Sequence, residues 1–219
     1  MKNIISLICV MALLSSCAHK ITRAEQYPKM YEEKPVTILV MPPINNSTNA
    51  DAKEFFYSSL AKPLSEKGYY VVSPFLTMDI LKQESAYDSE LFINGSLDTF
   101  RNFFDVDAVL FTTINRWEKK SGLSYILVDI DYKLKSAKTG EILFERDGEL
   151  RVNFSSGGGG LLSMALDMIS TAVTDHIVAA RRCNQFVLAD LPEGKYGLNY
   201  LNDGNVAAGR KKLKDSVGN

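Results

Sequence analysis

The side chains able to do chemistry in this sequence are few and far apart. There are two histidines, His19 and His176, and three cysteines, Cys9, Cys17 and Cys183. His176 falls in a helical pattern with Asp175 beside it and Asp167 nine residues back. Neither acid shares its face at the spacing of three or four that a ligand pair or relay needs, so His176 is read as a packed or solvated residue. Cys183 follows two arginines, which could lower its pKa, but no histidine base is placed to pair with it. It is read as a single inert thiol. Asp129 and Asp131 share one strand face, as an acid pair or a hard-metal site would, yet Lys133 and Lys135 continue that face. A solvated, charge-mixed surface is the better account. The glycines from Gly157 to Gly160 precede a helix, as phosphate cradles do, without the Lys-Ser/Thr of a P-loop. No catalytic residue, metal site or cofactor is expected. With 25 Lys and Arg against 26 Asp and Glu, the net charge is −1 and there is no long-range field to steer phosphates, so nucleic acid is not an expected partner.

Cys17 is the exception, because its neighbours give it a reaction. Lys2 supplies a positive start, and Ile4 to Leu14 (IISLICVMALL) is an apolar run broken only by Ser6. A membrane span needs about 20 residues, so this run suits a secretory leader rather than a transmembrane helix. Leu14-Ser15-Ser16-Cys17 then looks like a bacterial lipobox. Such a site implies a diacylglyceryl thioether on Cys17, cleavage before it and acylation of the new amino terminus, and two or more chains anchor stably where one does not. Ala18 follows, rather than an Asp of the inner-membrane retention type, which favours the outer membrane. No acidic cluster follows either, which favours its periplasmic face. Residues 18–35 are polar, with Pro28 and Pro35 and no sustained period, and read as a flexible tether.

The rest reads as an α/β domain. Val36 to Met41 (VTILVM) is a continuous apolar, β-branched run stopped by Pro42 and Pro43, as expected of a strand buried on both faces. Asp51 to Lys67 carries Phe56, Leu60 and Leu64 at helical spacing, with Pro63 as a kink. Tyr69 to Val72 is a second strand. Two short helices follow, Phe75 to Gln83 with Leu76, Ile80 and Leu81 inward, and Leu97 to Phe104 with Phe100, Phe103 and Phe104 as its apolar side. Ala108 to Ile114 is a third strand, and this order implies parallel pairing through right-handed crossovers. From Ser124 to Leu134 the residues alternate, with Ile126, Val128, Ile130, Tyr132 and Leu134 on one face, which predicts a strand buried on one side. Lys138-Thr139-Gly140 turns the chain, and Ile142 to Arg146 returns as a hairpin partner. Leu161 to Ala180 is the strongest helical pattern, with Arg181 and Arg182 at its end, where a helix dipole favours cations.

Four blocks together resemble a family of bacterial periplasmic lipoproteins of unknown function: Val36 to Pro43 (VTILVMPP), Phe56 to Val72, Asp107 to Trp117 (DAVLFTTINRW) and the glycine run. The resemblance implies a fold similar to the N-terminal domain of the translocation protein TolB and to lipoproteins of secretion and polysaccharide export, in a gene neighbourhood that often includes a curli-secretion-channel-like lipoprotein. The sequence departs from the family pattern at Tyr196 to Gly204 (YGLNYLNDG), where a more Pro- and His-rich motif belongs. No catalytic residue comes with the resemblance.

The expected organisation is a lipoprotein signal peptide over 1–16, a lipidated Cys17 and tether over 17–35, one α/β domain over 36–183 and a partly ordered tail over 184–219. The fold class is a three-layer or two-layer sandwich. Its mixed five-stranded sheet has a parallel β-α-β-α-β beginning and an antiparallel hairpin edge, with the long C-terminal helix packed on it. The expected function is a non-catalytic adaptor or assembly component of an envelope or secretion complex, anchored to the membrane by lipid. Asn45, Asn46, Asn115 and Trp117 are its candidate partner or ligand surface. For Trp117, contact and core capping stand level. Self-association is expected through the hairpin edge at Ile142 to Arg146. The alternative is a lipoprotein that binds a small ligand or glycan in a cleft near Pro42, Asn45, Asn46, Ser73 and Asn115.

Overall fold

The computed structural model describes residues 20–119, 125–153 and 172–218, the side chains of 172–175 excepted. The signal peptide, the lipobox with Cys17, and the glycine run with the first half of the long helical pattern lie outside the described residues.

The elements in chain order are α1 (Arg23–Gln26), α2 (Pro28–Glu33), β1 (Thr37–Val40), β2 (Ile44–Asn45), α3 (Ala52–Ser58), α4 (Ala61–Glu66), β3 (Tyr70–Val71), α5 (Pro74–Gln83), α6 (Asp98–Phe104), β4 (Ala108–Lys119), β5 (Tyr125–Ser136), β6 (Ile142–Asn153), α7 (Ala172–Leu188) and β7 (Lys212–Val217). The sheet runs β3-β1-β4-β5-β6-β7, with β2 also pairing β4. β3, β1 and β4 are parallel, as are β2 and β4, whereas β4, β5 and β6 are antiparallel and β7 pairs parallel to β6. The mixed α/β sandwich is thus as read from the sequence, with seven strands among the described residues rather than five.

Two apolar clusters explain why β1 is apolar throughout. Ile38 and Val40 point into the larger cluster with Phe56, Leu64 and Val187, from α3, α4 and α7. Leu39 and Met41 point to the other face, against Leu81 of α5 and Phe100 of α6. Strand β5 is covered on one side only: Ile126, Val128, Ile130, Tyr132 and Leu134 are buried, while Asp129, Asp131 and Lys133 are half-buried on the opposite face.

Several expectations are corrected. The helix over 51–67 is two helices, because Pro63 has no N–H for the Ser59 carbonyl and its ring crowds that carbonyl. On α5, Thr77, Met78 and Leu81 face inward while Leu76 is exposed, and on α6 Phe103 is exposed. The 17–35 tether is folded over its described part. Thr22 and Glu25 form a reciprocal capping box, and Tyr27 and Met30 are buried in the large cluster. The 184–219 tail is folded as well: α7 continues past Ala180 to Leu188, and β7 closes the sheet. Strand β7 pairs with Asp147 to Val152 and covers that part of β6, whereas Ile142 to Arg146 has no strand partner other than β5 among the described residues, although Arg146 itself is buried.

Candidate functional site

The C-terminal ends of β1, β2 and β4 bring three of the four candidate residues together. Asn46 Nδ2 donates to Asn115 Oδ1 at 3.3 Å, and Asn115 Nδ2 donates to Asp131 Oδ2 at 3.4 Å. Both asparagines are exposed. Asn45 is spent inside its own turn: its Oδ1 accepts from Ser47 N and Ser47 Oγ, and its Nδ2 donates to the Asn49 carbonyl at 2.8 Å. Pro42 is buried, and its carbonyl accepts from Ser89 Oγ. What remains of the expected cleft is an exposed asparagine pair.

Trp117 is only 2% exposed and cannot serve as a contact surface. A one-residue bulge is the reason. Ile114 faces Ile130 and Arg116 faces Asp129, leaving Asn115 as the extra residue, so Trp117 lies opposite Val128. The bulge reverses the alternation and swings the indole to the buried side. There its Nε1 donates to His176 Nδ1 at 2.6 Å, and Phe55 stacks with the imidazole, ring centroids 5.8 Å apart. His176 is therefore held by two aromatic neighbours. Cys183 is fully buried, and burial pushes its thiol up to about 12; the nearby arginines do not lower it.

The same bulge leaves Arg116 on the open face of the sheet, where the register builds charged rows across four strands. Arg116, Asp129, Glu149 and Lys214 align in one row; Thr113, Asp131, Asp147 and Lys212 align in the next. Acids occupy the two middle strands, and cations the flanks except at Thr113. Arg116 Nη1 lies 2.7 Å from Glu149 Oε2, Lys212 Nζ 2.5 Å from Asp147 Oδ2, and Lys133 Nζ 3.7 Å from Glu145 Oε1. Lys135 closes the row nearest the smaller cluster, donating to the Ile93 carbonyl at 2.6 Å, and partial burial lowers its pKa. Among the described residues, no group of three or more His, Cys, Asp or Glu could hold a metal ion.

Sequence reasoning missed the polar centre that binds both ends of the chain to the domain. Asp203 Oδ2 accepts from Arg23 Nη1 at 3.0 Å and from Glu193 N at 2.9 Å, while its Oδ1 accepts from Tyr31 Oη. Asp190 accepts from Tyr27 Oη at 2.7 Å and from Gly209 N at 2.8 Å. Burial, then these carboxylates, raise the pKa of Tyr27 and Tyr31. Arg146, from β6, caps α7: its guanidinium donates to the Val187 carbonyl at 2.8 Å, the place the sequence assigned to Arg181 and Arg182. Both acids sit in turn-like stretches (ADLP, NDGN) that look like solvated loops, and no pattern distinguished them.

This fold has relatives. The model for "Putative lipoprotein GNA1162-like" matches residues 25–194. The chain belongs to that family. It is 27% identical over 185 residues to "Putative lipoprotein NMB1124/NMB1162" of Neisseria meningitidis serogroup B, covering 80% of this chain and 84% of the relative. The crystal structure of lipoprotein GNA1162 from Neisseria meningitidis superposes with a TM-score of 0.50 at 24% identity, over 64% of this chain and 99% of its own. The fold is therefore shared with that lipoprotein. A PelC dodecamer from Paraburkholderia phytofirmans, 15% identical over 65% of this chain and 89% of its own, reaches a TM-score of 0.39, a likeness too loose to speak for this chain.

Proposed function

We propose that this member of the GNA1162-like family is an outer-membrane lipoprotein facing the periplasm, anchored through Cys17, and that it acts as a non-catalytic adaptor in an envelope or secretion complex. The leader, the lipobox Leu14-Ser15-Ser16-Cys17 and Ala18 after it support the anchor, and family membership supports the lipoprotein class. One observation carries the adaptor reading: the half of the sheet away from α5 and α6 presents ordered charged rows to solvent. In them Arg116 and Glu149 keep 40% and 46% of their side chains exposed. A surface of fixed charge, with acids in the middle and cations beside them, selects a partner and sets its register more than it supplies affinity. The exposed pair Asn46 and Asn115 continues it through Asp131. The reactive groups, by contrast, are engaged in packing: Cys183 is sealed, and His176 is hydrogen-bonded to Trp117 and stacked with Phe55.

The test is photocrosslinking in intact cells, with the photoreactive residue at Arg116, at Glu149, or at Phe103, exposed on α6 over the other half of that sheet face. A discrete envelope-protein adduct from the first two positions and none from Phe103 supports the reading. Adducts from no position on the charged face, in cells where the complex is otherwise intact, overturn it. The ligand-binding alternative is less well supported, because Asn45 and Pro42 are already satisfied within the fold.

A further inference from the structure

The reach of the lipid anchor bears on how the domain sits. Residues 18–35 are not a long leash: from Ile21 onward the chain is fixed to the domain. Thr22 bridges Ala207, Ala208 N donates to the Ile21 carbonyl at 2.8 Å, and Arg23 N donates to the Val206 carbonyl at 2.9 Å. A fully extended chain advances at most about 3.6 Å per residue, so the four steps from Cys17 to Ile21 span no more than roughly 14 Å. Whatever surface surrounds Ile21 is held within that distance of the acyl chains.

That surface is apolar without being packed. Ile21 is 55% exposed, Leu201 44% and Val206 47%, and Leu198, in the same loop as Leu201, is fully exposed. Exposed single apolar residues are ordinary, but Val206 meets Arg23 N through its carbonyl and Leu201 sits on the loop whose Gly204 carbonyl accepts from Ala24 N at 3.0 Å, so these branched side chains belong to the stretch where the anchor enters. Lys20 and Arg210 flank the patch and are exposed. Of the nearby carboxylates, Asp203 is buried and occupied by Arg23 and Tyr31, while the exposed Glu25 accepts from Thr22 N and Oγ.

We propose that the surface around Ile21, Leu201 and Val206 lies against the phospholipid of the membrane, its apolar side chains at the headgroup boundary and its cations among the phosphates. The inference rests on the reading of Cys17 as the anchor and adds an orientation to it. Acyl chains and an apolar, basic contact act together, as in other doubly anchored proteins. The patch belongs to the side of the sheet carrying α1, α2 and the tail, because Tyr27, Met30 and Leu213 all enter the larger cluster. Lipid contact there turns the charged rows of β4 to β7 away from the membrane, toward a periplasmic partner.

The test uses the full chain, lipidated in cells and reconstituted into vesicles of phosphatidylethanolamine and phosphatidylglycerol that carry nitroxide-labelled headgroups. An environment-sensitive fluorophore is placed on a cysteine substituted at Leu201, at Val206, or at Leu91, which is exposed across the sheet. The expected result is strong quenching and a blue shift at Leu201 and Val206 and neither at Leu91. Pairing Leu201→Glu with a label at Val206 should abolish the quenching while the protein still floats with the vesicles. Equal, weak quenching at all three positions in protein that does float overturns the orientation and leaves the anchor standing. Protein that fails to float, with a mass lacking acyl groups, overturns the anchor reading and this inference with it.

Discussion

Tyr132 donates its hydroxyl to Asn184 Oδ1 at 2.5 Å in the middle of the larger cluster, joining the central strand to the last helix. Asn184 in turn donates from Nδ2 to the Phe56 carbonyl at 3.1 Å and to Ser59 Oγ at 2.8 Å. Those two acceptors lie at the break between α3 and α4 that Pro63 imposes. Asn184 thus ties α7 to the α3–α4 junction, adding to the bonds that Ser59 N and Oγ already make to the Phe56 carbonyl. Tyr132→Phe leaves Asn184 Oδ1 unsatisfied and should cost about 1–3 kcal/mol. Asn184→Leu takes the oxygen acceptor from Tyr132 Oη and removes two further buried hydrogen bonds, and should cost more. Urea unfolding checks both: the midpoint should fall with the slope unchanged.

A pH effect follows from the groups sealed in the same core. The Cys183 thiol is raised to about 12 in the fold, against an ordinary value near 9, by burial. Burial likewise raises Tyr57, Tyr69 and Tyr132. Each folded pKa exceeds its unfolded value, so the stabilisation is complete below the unfolded pKa and is lost as pH rises toward the folded one. Stability should therefore fall from pH 9 upward, by about 1.4 kcal/mol per pH unit for the thiol alone, and more steeply above 10 as tyrosines join. Denaturant midpoints at stepped pH measure this. Cys183→Ala should remove the slope between 9 and 10 and leave the steeper one.

The ends of the chain depend on Asp203. Asp203→Asn keeps the shape but removes the charge that Arg23 meets at 3.0 Å and weakens the acceptor for Tyr31. Because the pair is buried, breaking it should cost about 3–5 kcal/mol locally. Residues 22–33 should then exchange amide hydrogens and be cut by protease well before the sheet does. Unchanged protection of α1 and α2 would mean that Met30 and Tyr27 hold them without the carboxylate.

What could be read from the sequence, and what could not, divides along the same line. Strands β1 and β5 were legible because their burial is written as a continuous run or a strict alternation. Burial on both faces and burial on one face are different patterns. The segments 22–33 and 184–218 were not legible, since they are held by carboxylates, caps and turns, which have no period. Trp117 was undecidable for a third reason. Its side depends on a single extra residue at Asn115, and nothing in Ile114-Asn115-Arg116 announces a bulge. The surface predicted around Asn46 and Asn115 is reached by that same bulge, which also sends Arg116 outward.

Strand β7 depends on one residue of its neighbour. Gly148 has φ +133°, and a Cβ there would come within 2.4 Å of the Leu213 carbonyl oxygen, its partner across the β6–β7 pair. No side chain can move to relieve that contact, because the obstacle is backbone. Gly148→Ala should therefore detach Lys212 to Val217, exposing Leu213 at a cost of about 1.5–3 kcal/mol. Hydrogen exchange would show protection lost along β7 and along the β6 groups that face it, with β4 and β5 unaffected. The bared length of β6 is then an unpaired edge of the kind that templates association. Sedimentation velocity should show the variant forming concentration-dependent oligomers beyond any seen for the native chain. If β7 loses its protection and the variant sediments as the native chain does, covering the β6 edge is not what β7 is for.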